Sequence, residues 1–323
     1  MTMPEPPHSF IGGIDSIIPG LLRFSHVAMA TTFEICIVHE DKRYAQQAAE
    51  AAFAEVDRLE WQFSRFIENS DIAQIAALKA HQSLQLGMDS FQCLRLCERF
   101  CRETGGAFDV TAGALMNCWF DKNKALRSPS KEELDAARRR TGCGVFRLNE
   151  EKLCIEVMTD NIQIDLGAVG KGYAVDKIAE LLREWDINKV LINGGSSSIL
   201  ALDAPDKLPG WPVTLSAPGV GVVTKIHLKN RALSGSGLQK GRHIMDVRTG
   251  RPVENKLAAW VCVKDAAADA LSTAFMVMDI ADIERYCRQH TDVQAKILLS
   301  GEKKPLSYGD WQSLSGNSTP DDS

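Results

Sequence analysis

The sequence predicts an α+β domain in which helices pack on mostly antiparallel strands. Stretches rich in β-branched residues recur along the chain, segments with helical periodicity separate some of them, and the two kinds do not alternate strictly as in a parallel βαβ array. The chain has 323 residues, of which 45% are apolar and 24% charged, as is usual for a compact globular protein. No segment is rich enough in Gly, Pro and Ser to indicate a linker between two domains.

The predicted domain spans residues 23–311, and both ends of the chain are expected to be flexible. Residues 1–22 mix prolines and glycines without a sustained period, and residues 312–323 are polar. The domain opens with a strand predicted over residues 25–39, SHVAMATTFEICIVH. Apolar residues at helical spacing over 45–59 then predict an amphipathic helix.

Two further helices are predicted from their end signals. The first runs from Ser90 to Glu103, where Gly105-Gly106 favours the left-handed backbone that ends a helix. The second begins at Ser130, which forms a capping box with Glu133.

The second half of the chain is predicted to contain most of the strands. KLCIEVMTDNIQIDLG is interpreted as two strands around Asp160 and Asn161, and AVGKGYAVDKIAELLREW as a glycine-rich turn leading into a helix. Further strands are expected in KVLINGG, SSILALD, VGVVTKIHL, RALSGSG, HIMDV, AAWVCVK and AKILLS, and helices in AAADALSTAFMVMD and ADIERYCRQH.

Charge and cysteine content exclude several classes of protein. The 37 basic and 42 acidic side chains give a net charge of −5, which argues against a nucleic-acid partner. No apolar run is long enough for a membrane span, and the start lacks a leader pattern, so we expect a cytoplasmic protein. The nine scattered cysteines form no CxxC pair, which fits a reducing compartment. Cys93, Cys97 and Cys101 are interpreted as core residues, because no further Cys or His lies nearby in the sequence.

A glycine-rich segment, DLGAVGKGYAVD, is the first candidate for a functional site. Its three glycines and Lys171 would direct backbone N–H groups, a helix dipole and an ammonium group at a phosphate. The spacing matches neither the GxGxxG motif nor the P-loop, so a purely structural turn is the alternative.

Three other segments combine small residues with polar side chains. In ADALST, Asp269 and Thr273 lie four residues apart on one helix face and would share a hard cation, or would merely cap and pack the helix. In HIMDVRTGRP, His243 and Asp246 would act as a base and its orienting group, or form a structural pair. In GGAFDVTAG, Asp109 would bind the polar edge of a ligand or close a turn.

Taken together, these segments resemble the ApbE family of flavin transferases. The resemblance rests on MATTF, GAFDVTAG, DLGAVGKGYAVD, NGGSSSI, HIMDVRTGRPV and ADALSTAF, which follow one another in the family's order. It implies one α+β domain that binds FAD and magnesium, transfers FMN to a Ser or Thr hydroxyl of a target protein, and releases AMP. The target motif of the family is Asp-x-x-Ser/Thr-Gly-Ala-Ser/Thr, with the last hydroxyl modified.

The resemblance also implies roles for individual residues. FAD contacts are expected at Met29, Phe66, Ala107, Phe108, Asp109, Asp165, Lys171 and His243. Magnesium ligands are expected from the side chains of Asp269 and Thr273 and the backbone oxygens of Ala168 and Ala266. On chemical grounds His243 would be the base that takes the hydroxyl proton, or would only contact FAD while Asp246, Asp165 or Asp109 acts as the base, and Asp269 would act in catalysis through the metal.

The chain departs from the family pattern at several points. Phe66 stands where relatives often carry an aromatic residue with a polar tip, the NGG motif is followed by Ser196 to Ser198, and SGSGLQKGRH is shorter than the expected hairpin before His243. Its own DVRTGRP ends in Pro252, which has no hydroxyl, so no self-modification is expected. Two alternatives to transfer remain: hydrolysis of FAD to FMN and AMP, as in some relatives, and flavin binding without catalysis.

Overall fold

The structure, a computed structural model, describes residues 18–121, 125–195, 197–238 and 243–314. In chain order the strands are β1 (Leu21–Ala28), β2 (Thr31–Val38), β3 (Ser83–Gln85), β4 (Phe146–Asn149), β5 (Cys154–Val157), β6 (Val190–Gly194), β7 (Ser198–Ala201), β8 (Trp211–Ala217), β9 (Gly221–Leu228), β10 (Arg231–Gly237), β11 (Met245–Asp246), β12 (Arg251–Pro252), β13 (Lys256–Val263), β14 (Gln294–Leu299) and β15 (Leu306–Tyr308). The α-helices are α1 (Lys42–Phe63), α2 (Asp71–Ala77), α3 (Met88–Glu103), α4 (Gly113–Trp119), α5 (Lys131–Arg138), α6 (Gly170–Glu184), α7 (Asp269–Val277) and α8 (Ile280–Gln289), and short 3-10 helices cover Ala266–Ala268 and Gln312–Leu314.

An eight-stranded sheet forms the centre of the fold. Its strand order is β1-β2-β6-β7-β10-β13-β14-β15, and every neighbouring pair is antiparallel. Helices α1, α3, α6 and α7 contribute to the core on one face, whereas the β8–β9 hairpin contributes to a second core on the other. The alternation is visible in β2, where Ile35 and Ile37 join the helical core and Cys36 joins the second. The predicted fold class is confirmed.

Most predicted elements are present, and their end signals act as expected. Ser130 and Glu133 form the capping box of α5. Gly105 and Gly106 follow α3 with φ of +58° and +78°. The glycine-rich turn leads directly into α6 at Gly170. Local hydrogen bonding and backbone freedom therefore place these boundaries.

Two strand predictions are wrong. The segment 25–39 is not one strand, because Met29 and Ala30 have left-handed φ values of 50° and 57° and turn the chain between β1 and β2. The second strand expected after Asn161 is absent from the described residues. That segment instead attaches to the loop before α4, where the Asp165 N–H donates to the Val110 carbonyl at 2.7 Å.

The structure differs from the sequence interpretation at one of the three cysteines, Cys101. Cys93 and Cys97 are buried and free, as expected for core residues. Cys101, by contrast, forms a disulfide with Cys143, and their Cα atoms are 5.9 Å apart. The partner follows 42 residues later in the chain, so local cysteine spacing carried no signal for the bond.

The predicted domain bounds remain a prediction. Packed residues extend slightly beyond 23–311, because Ile18 and Leu314 both belong to the core around the β8–β9 hairpin. Most of the two expected flexible ends lies outside the described residues. Within the described chain, every helix is too short or too polar to cross a membrane.

Candidate functional site at the start of helix α7

The glycine-rich turn brings α6 into close contact with the 3-10 turn Ala266–Ala268. A Cβ atom on Gly172 would lie 1.9 Å from the Ala266 carbonyl oxygen and 2.9 Å from Asp269 Cβ. Only glycine fits at this position without movement of the backbone. The Ala266 carbonyl and the first residue of α7 therefore meet the first turn of α6.

Lys171 connects the glycine-rich turn to α7. Its Nζ donates to the Gly167 carbonyl at 2.8 Å and lies 3.9 Å from Asp269 Oδ2. The ammonium is thus fixed at the start of one helix beside the carboxylate at the start of another. The anion-binding role of the turn stays a prediction.

Asp269 is the buried acid of the site. Its exposed fraction is 3%, and Ser198 Oγ donates to its Oδ2 at 2.6 Å. Burial raises the pKa of the Asp269 carboxyl, while Lys171 and the Ser198 hydrogen bond oppose that rise. The N-terminal position on α7 also favours the ionised form.

Hydroxyl groups surround Thr273, one helical turn after Asp269. Ser236 Oγ on β10 lies 2.9 Å from Thr273 Oγ1 and 2.8 Å from Ser272 Oγ. The two predicted side-chain ligands thus share a site with several other oxygen atoms. Ser198 and Ser236 were not predicted, because strands β7 and β10 reach α7 only in the folded sheet.

Asp176 is a second residue that sequence analysis did not identify. Its two carboxylate oxygens accept hydrogen bonds from the Ala266 and Ala267 N–H groups at 2.8 and 2.9 Å. Burial raises its pKa to about 7, against the effect of those two bonds. The available signal was its spacing, since Asp176 lies four residues after Gly172 and so shares its helix face.

Asp165 and Phe66 lie on the more exposed side of the turn. Asp165 accepts from the Gly167 N–H at 2.8 Å and pairs with Arg65 at 2.9 Å. The Arg65 guanidinium lies over the Phe66 ring, 4.9 Å from its centroid, and the Phe66 residue is 84% exposed. Arg65 was not predicted, although it directly precedes Phe66.

The other positions predicted to contact FAD or the metal differ in whether the side chain or only the backbone is accessible to a ligand. Met29 occupies the left-handed turn between β1 and β2, and Ala168 lies partly buried in the glycine-rich turn. Ala107 and Phe108 are each only 2% exposed, so their side chains belong to the core and their backbone alone is available to a ligand. Asp109 Oδ1 accepts from the Thr111 N–H and hydroxyl, at 2.7 and 2.6 Å.

His243 is exposed on the segment that leads into β11. Asp246, suggested as its orienting group, accepts from the Arg248 backbone N–H at 3.0 Å and from its Nε at 2.9 Å. The structure therefore gives Asp246 a strong partner in Arg248. Residues 239–242, which precede the histidine, and Ser196 lie outside the described residues.

Fold and site together define a class: an α+β domain with a buried acid, a lysine and several hydroxyls gathered where two helices begin. The model of the ApbE family matches residues 29–297, and the chain belongs to that family, as its motifs predicted.

Relatives and solved structures agree with this assignment. The FAD:protein FMN transferase of Salmonella typhimurium is 24% identical over 293 residues, covering 85% of this chain and 83% of its own. That of Chlamydia muridarum is 27% identical over 279 residues, covering 79% and 84%. The apo flavinyl transferase ApbE of Pseudomonas stutzeri has a TM-score of 0.81 at 22% identity, covering 93% of this chain and 98% of its own. The Thermotoga maritima ApbE protein has a TM-score of 0.79 at 24% identity, covering 90% and 97%, so both share the fold.

Proposed function

We propose that this protein is a magnesium-dependent FAD:protein FMN transferase. It attaches FMN from FAD to a Ser or Thr hydroxyl of a target protein and releases AMP. The observation that carries the proposal is the cluster at the start of α7, where Lys171 and Ser198 lie beside the buried Asp269 carboxylate and Thr273 follows one helical turn later. The transferase names of the relatives support it.

The residues of the cluster suit magnesium. Asp269 and Thr273 supply side-chain oxygens, Ala266 and Ala168 supply backbone oxygens, and such hard ligands are those that Mg²⁺ prefers. The buried carboxylate has an ammonium only at 3.9 Å, beyond hydrogen-bond distance, so a cation would complete its neutralisation. Magnesium bound there would stabilise negative charge that develops on the pyrophosphate of FAD.

The chain's own residues would perform the other tasks of the reaction. Lys171 would hold a phosphate oxygen by its ammonium charge, and Gly172 keeps the two helix starts close together. In the transfer, the acceptor oxygen forms a bond to the FMN phosphorus and the bond from that phosphorus to the AMP oxygen breaks. His243 would take the acceptor's proton.

The flavin half of FAD would lie on the exposed side of the glycine-rich turn. The open face of Phe66 is available for stacking, and Asp165 and Arg65 are fixed beside it. Met29 and the backbone at Ala107, Phe108 and Asp109 would complete the contact. The FAD contacts that the family resemblance implies would thus line the exposed part of the site.

The target protein would carry the Asp-x-x-Ser/Thr-Gly-Ala-Ser/Thr motif. The chain's own partial match is not expected to act as one. Pro252 replaces the modified hydroxyl, and Thr249 precedes it in a turn whose Asp246 is held by Arg248. A flavin mass adduct mapped to residues 246–252 would contradict this expectation.

Incubation with FAD, Mg²⁺ and an acceptor peptide tests the proposal. AMP should appear together with an equal amount of FMN-modified peptide, and neither should form when the acceptor Ser or Thr is replaced by Ala. AMP release that does not need the acceptor would favour FAD hydrolysis instead. Bound FAD without any AMP would favour a non-catalytic flavin-binding protein.

A further inference from the structure

The Cys101–Cys143 disulfide lies against a carboxylate that lacks a full set of partners. Cys101 is buried on the last turn of α3, and Cys143 follows α5 in a half-buried loop. The two sulfurs and a carboxylate oxygen of Asp109 all lie within 4.8 Å of one another. Two segments of the chain, one carrying Cys101 and Asp109 and the other carrying Cys143, thus present possible metal-ligand atoms to one point.

The two oxygens of Asp109 have different surroundings. Oδ1 accepts both hydrogen bonds from Thr111. Oδ2 is buried and lacks a hydrogen bond of good geometry among the described residues, although the Gly142 N–H lies near enough to lower the pKa of the carboxyl. A buried carboxylate oxygen without a partner costs free energy, and a cation would remove that cost.

The surrounding backbone holds these three residues together. Thr111 is fully buried, and its Oγ1 accepts from the Gly142 N–H at 2.9 Å, which attaches the loop carrying Cys143 to the segment carrying Asp109. The Cα atoms of the two cysteines are 5.9 Å apart, so after reduction both thiols can still reach one ion between them. The site is therefore positioned by contacts other than the disulfide.

We propose that, after reduction of the disulfide, Cys101, Cys143 and Asp109 bind one thiophilic divalent cation such as Zn²⁺. Two thiolates and a carboxylate are typical zinc ligands, and water would fill the fourth tetrahedral position. Two molecules of a thiol reductant would convert the disulfide to two protein thiols and become one disulfide themselves. The cation would then displace the two thiol protons.

This site shares no ligand with the proposed magnesium site, whose ligands are all oxygens, although Asp109 is also one of the expected FAD-contact positions. The cation would bind whether or not the protein transfers FMN, so the inference does not rest on the proposed function. In the oxidised protein both sulfurs are bonded to each other and no thiolate is available. Cation binding would therefore depend on the redox state of the cysteine pair.

Cobalt titration of the full chain tests the proposal. The protein is reduced with a phosphine, freed of metal and reductant under nitrogen, and titrated with Co²⁺, which reports thiolate ligands by a near-ultraviolet charge-transfer band. We expect the band to saturate at one equivalent and to disappear on addition of Zn²⁺. Oxygen ligands at the magnesium site would not produce it.

Variants assign the ligands. Cys143→Ser and Cys101→Ser should abolish the saturable band, whereas Cys154→Ser, at a free and partly buried cysteine, should retain it. Asp109→Asn should weaken Zn²⁺ binding about tenfold or more, since even groups that only hydrogen-bond to the ligands of a metal contribute that much. Circular dichroism checks that each variant is folded. Absence of the band in the reduced wild type, or its persistence in Cys143→Ser, would overturn the proposal.

Discussion

Helix α7 has a buried charged group at each end, and the two groups have different surroundings. Asp269 is the first residue of α7 and is 3% exposed. Lys256 is the first residue of strand β13, lies against the last turn of α7, and is 1% exposed. The helix dipole favours both charges, since it attracts an anion at the N-terminus and a cation at the C-terminus. Burial opposes both, raising the pKa of Asp269 and lowering that of Lys256.

The difference lies in how completely the protein satisfies each charge. Lys256 Nζ donates to the carbonyls of Met276 and Met278 at 3.2 and 2.6 Å, which closes the C-terminal end of α7. Asp269 accepts a short hydrogen bond from Ser198, Ser234 also lowers the pKa of its carboxyl, and the Lys171 ammonium remains 3.9 Å away. The helix dipole therefore stabilises the fold at the C-terminus of α7, where Lys256 is bonded to two carbonyls, whereas the Asp269 carboxylate at the N-terminus could still bind a ligand.

Replacing Asp269 by Ala should produce the largest effect on activity. Loss of a charged metal ligand removes several kcal/mol of transition-state stabilisation, or about 10³-fold in AMP release. The free energy of unfolding should not fall, because no buried charge remains to be satisfied. Activity is measured over a range of Mg²⁺ concentrations, with Asp282→Ala on α8 as the control. A magnesium dependence like that of the wild type would contradict the metal assignment.

His243→Ala tests whether the site at the N-terminus of α7 needs a base from another segment. A positioned base contributes about 10²-fold or more, so the single-turnover rate should fall by that factor while FAD affinity changes little. The pH dependence of that rate is compared with the wild type and with His81→Ala, an exposed histidine control. Weakened FAD binding with an unchanged rate would make His243 a binding residue.

Lys256→Met should destabilise the C-terminal end of α7 and leave the site at its N-terminus unchanged. Two carbonyls at the helix end lose a charged donor, which should lower the free energy of unfolding by about 2 kcal/mol. Urea denaturation measures this change, with Lys304→Met as the exposed control. Under conditions where the variant is folded, its magnesium dependence should match the wild type. Loss of activity in the folded variant would show that the two ends are coupled.

Thr273→Val should have a smaller effect than the loss of Asp269, because only one neutral oxygen is removed. Ser236 retains its hydrogen bond with Ser272, so the surrounding strand should not move. The Mg²⁺ concentration for half-maximal activity should rise about tenfold, which corresponds to roughly 1.4 kcal/mol. Thr273→Ser should restore the wild-type value. Equal values for the valine and serine variants would exclude the hydroxyl as a ligand.

Phe66→Leu should have the smallest effect, because the ring lies on the exposed side of the site. Loss of about 1 kcal/mol of stacking would weaken FAD binding about fivefold. The ring is largely exposed, so stability should be unchanged. FAD titration followed by flavin fluorescence measures the affinity, with Trp61→Leu, another exposed aromatic residue, as the control. Equal affinity losses in both variants would indicate a nonspecific effect.

The sequence by itself determined the features that depend on neighbouring residues. The capping box at Ser130 and the stop at Gly105-Gly106 act through hydrogen bonds and backbone freedom within a few residues. The pairing of Asp269 with Thr273 on one helix face follows from helical spacing alone. The order of the family motifs was sufficient to identify the ApbE family.

Only the tertiary structure decided which distant groups complete the site. Ser198 reaches Asp269 across 71 positions, and Asp176 reaches Ala266 across 90. Helical spacing places Asp176 on the face of Gly172, but no local pattern indicated which groups these two residues contact. The Cys101–Cys143 bond likewise depends on how α3 and the loop after α5 pack together. The physical reason is range: capping and periodicity act within a helical turn, whereas these partners are brought together only when sheet and helices bury a common core.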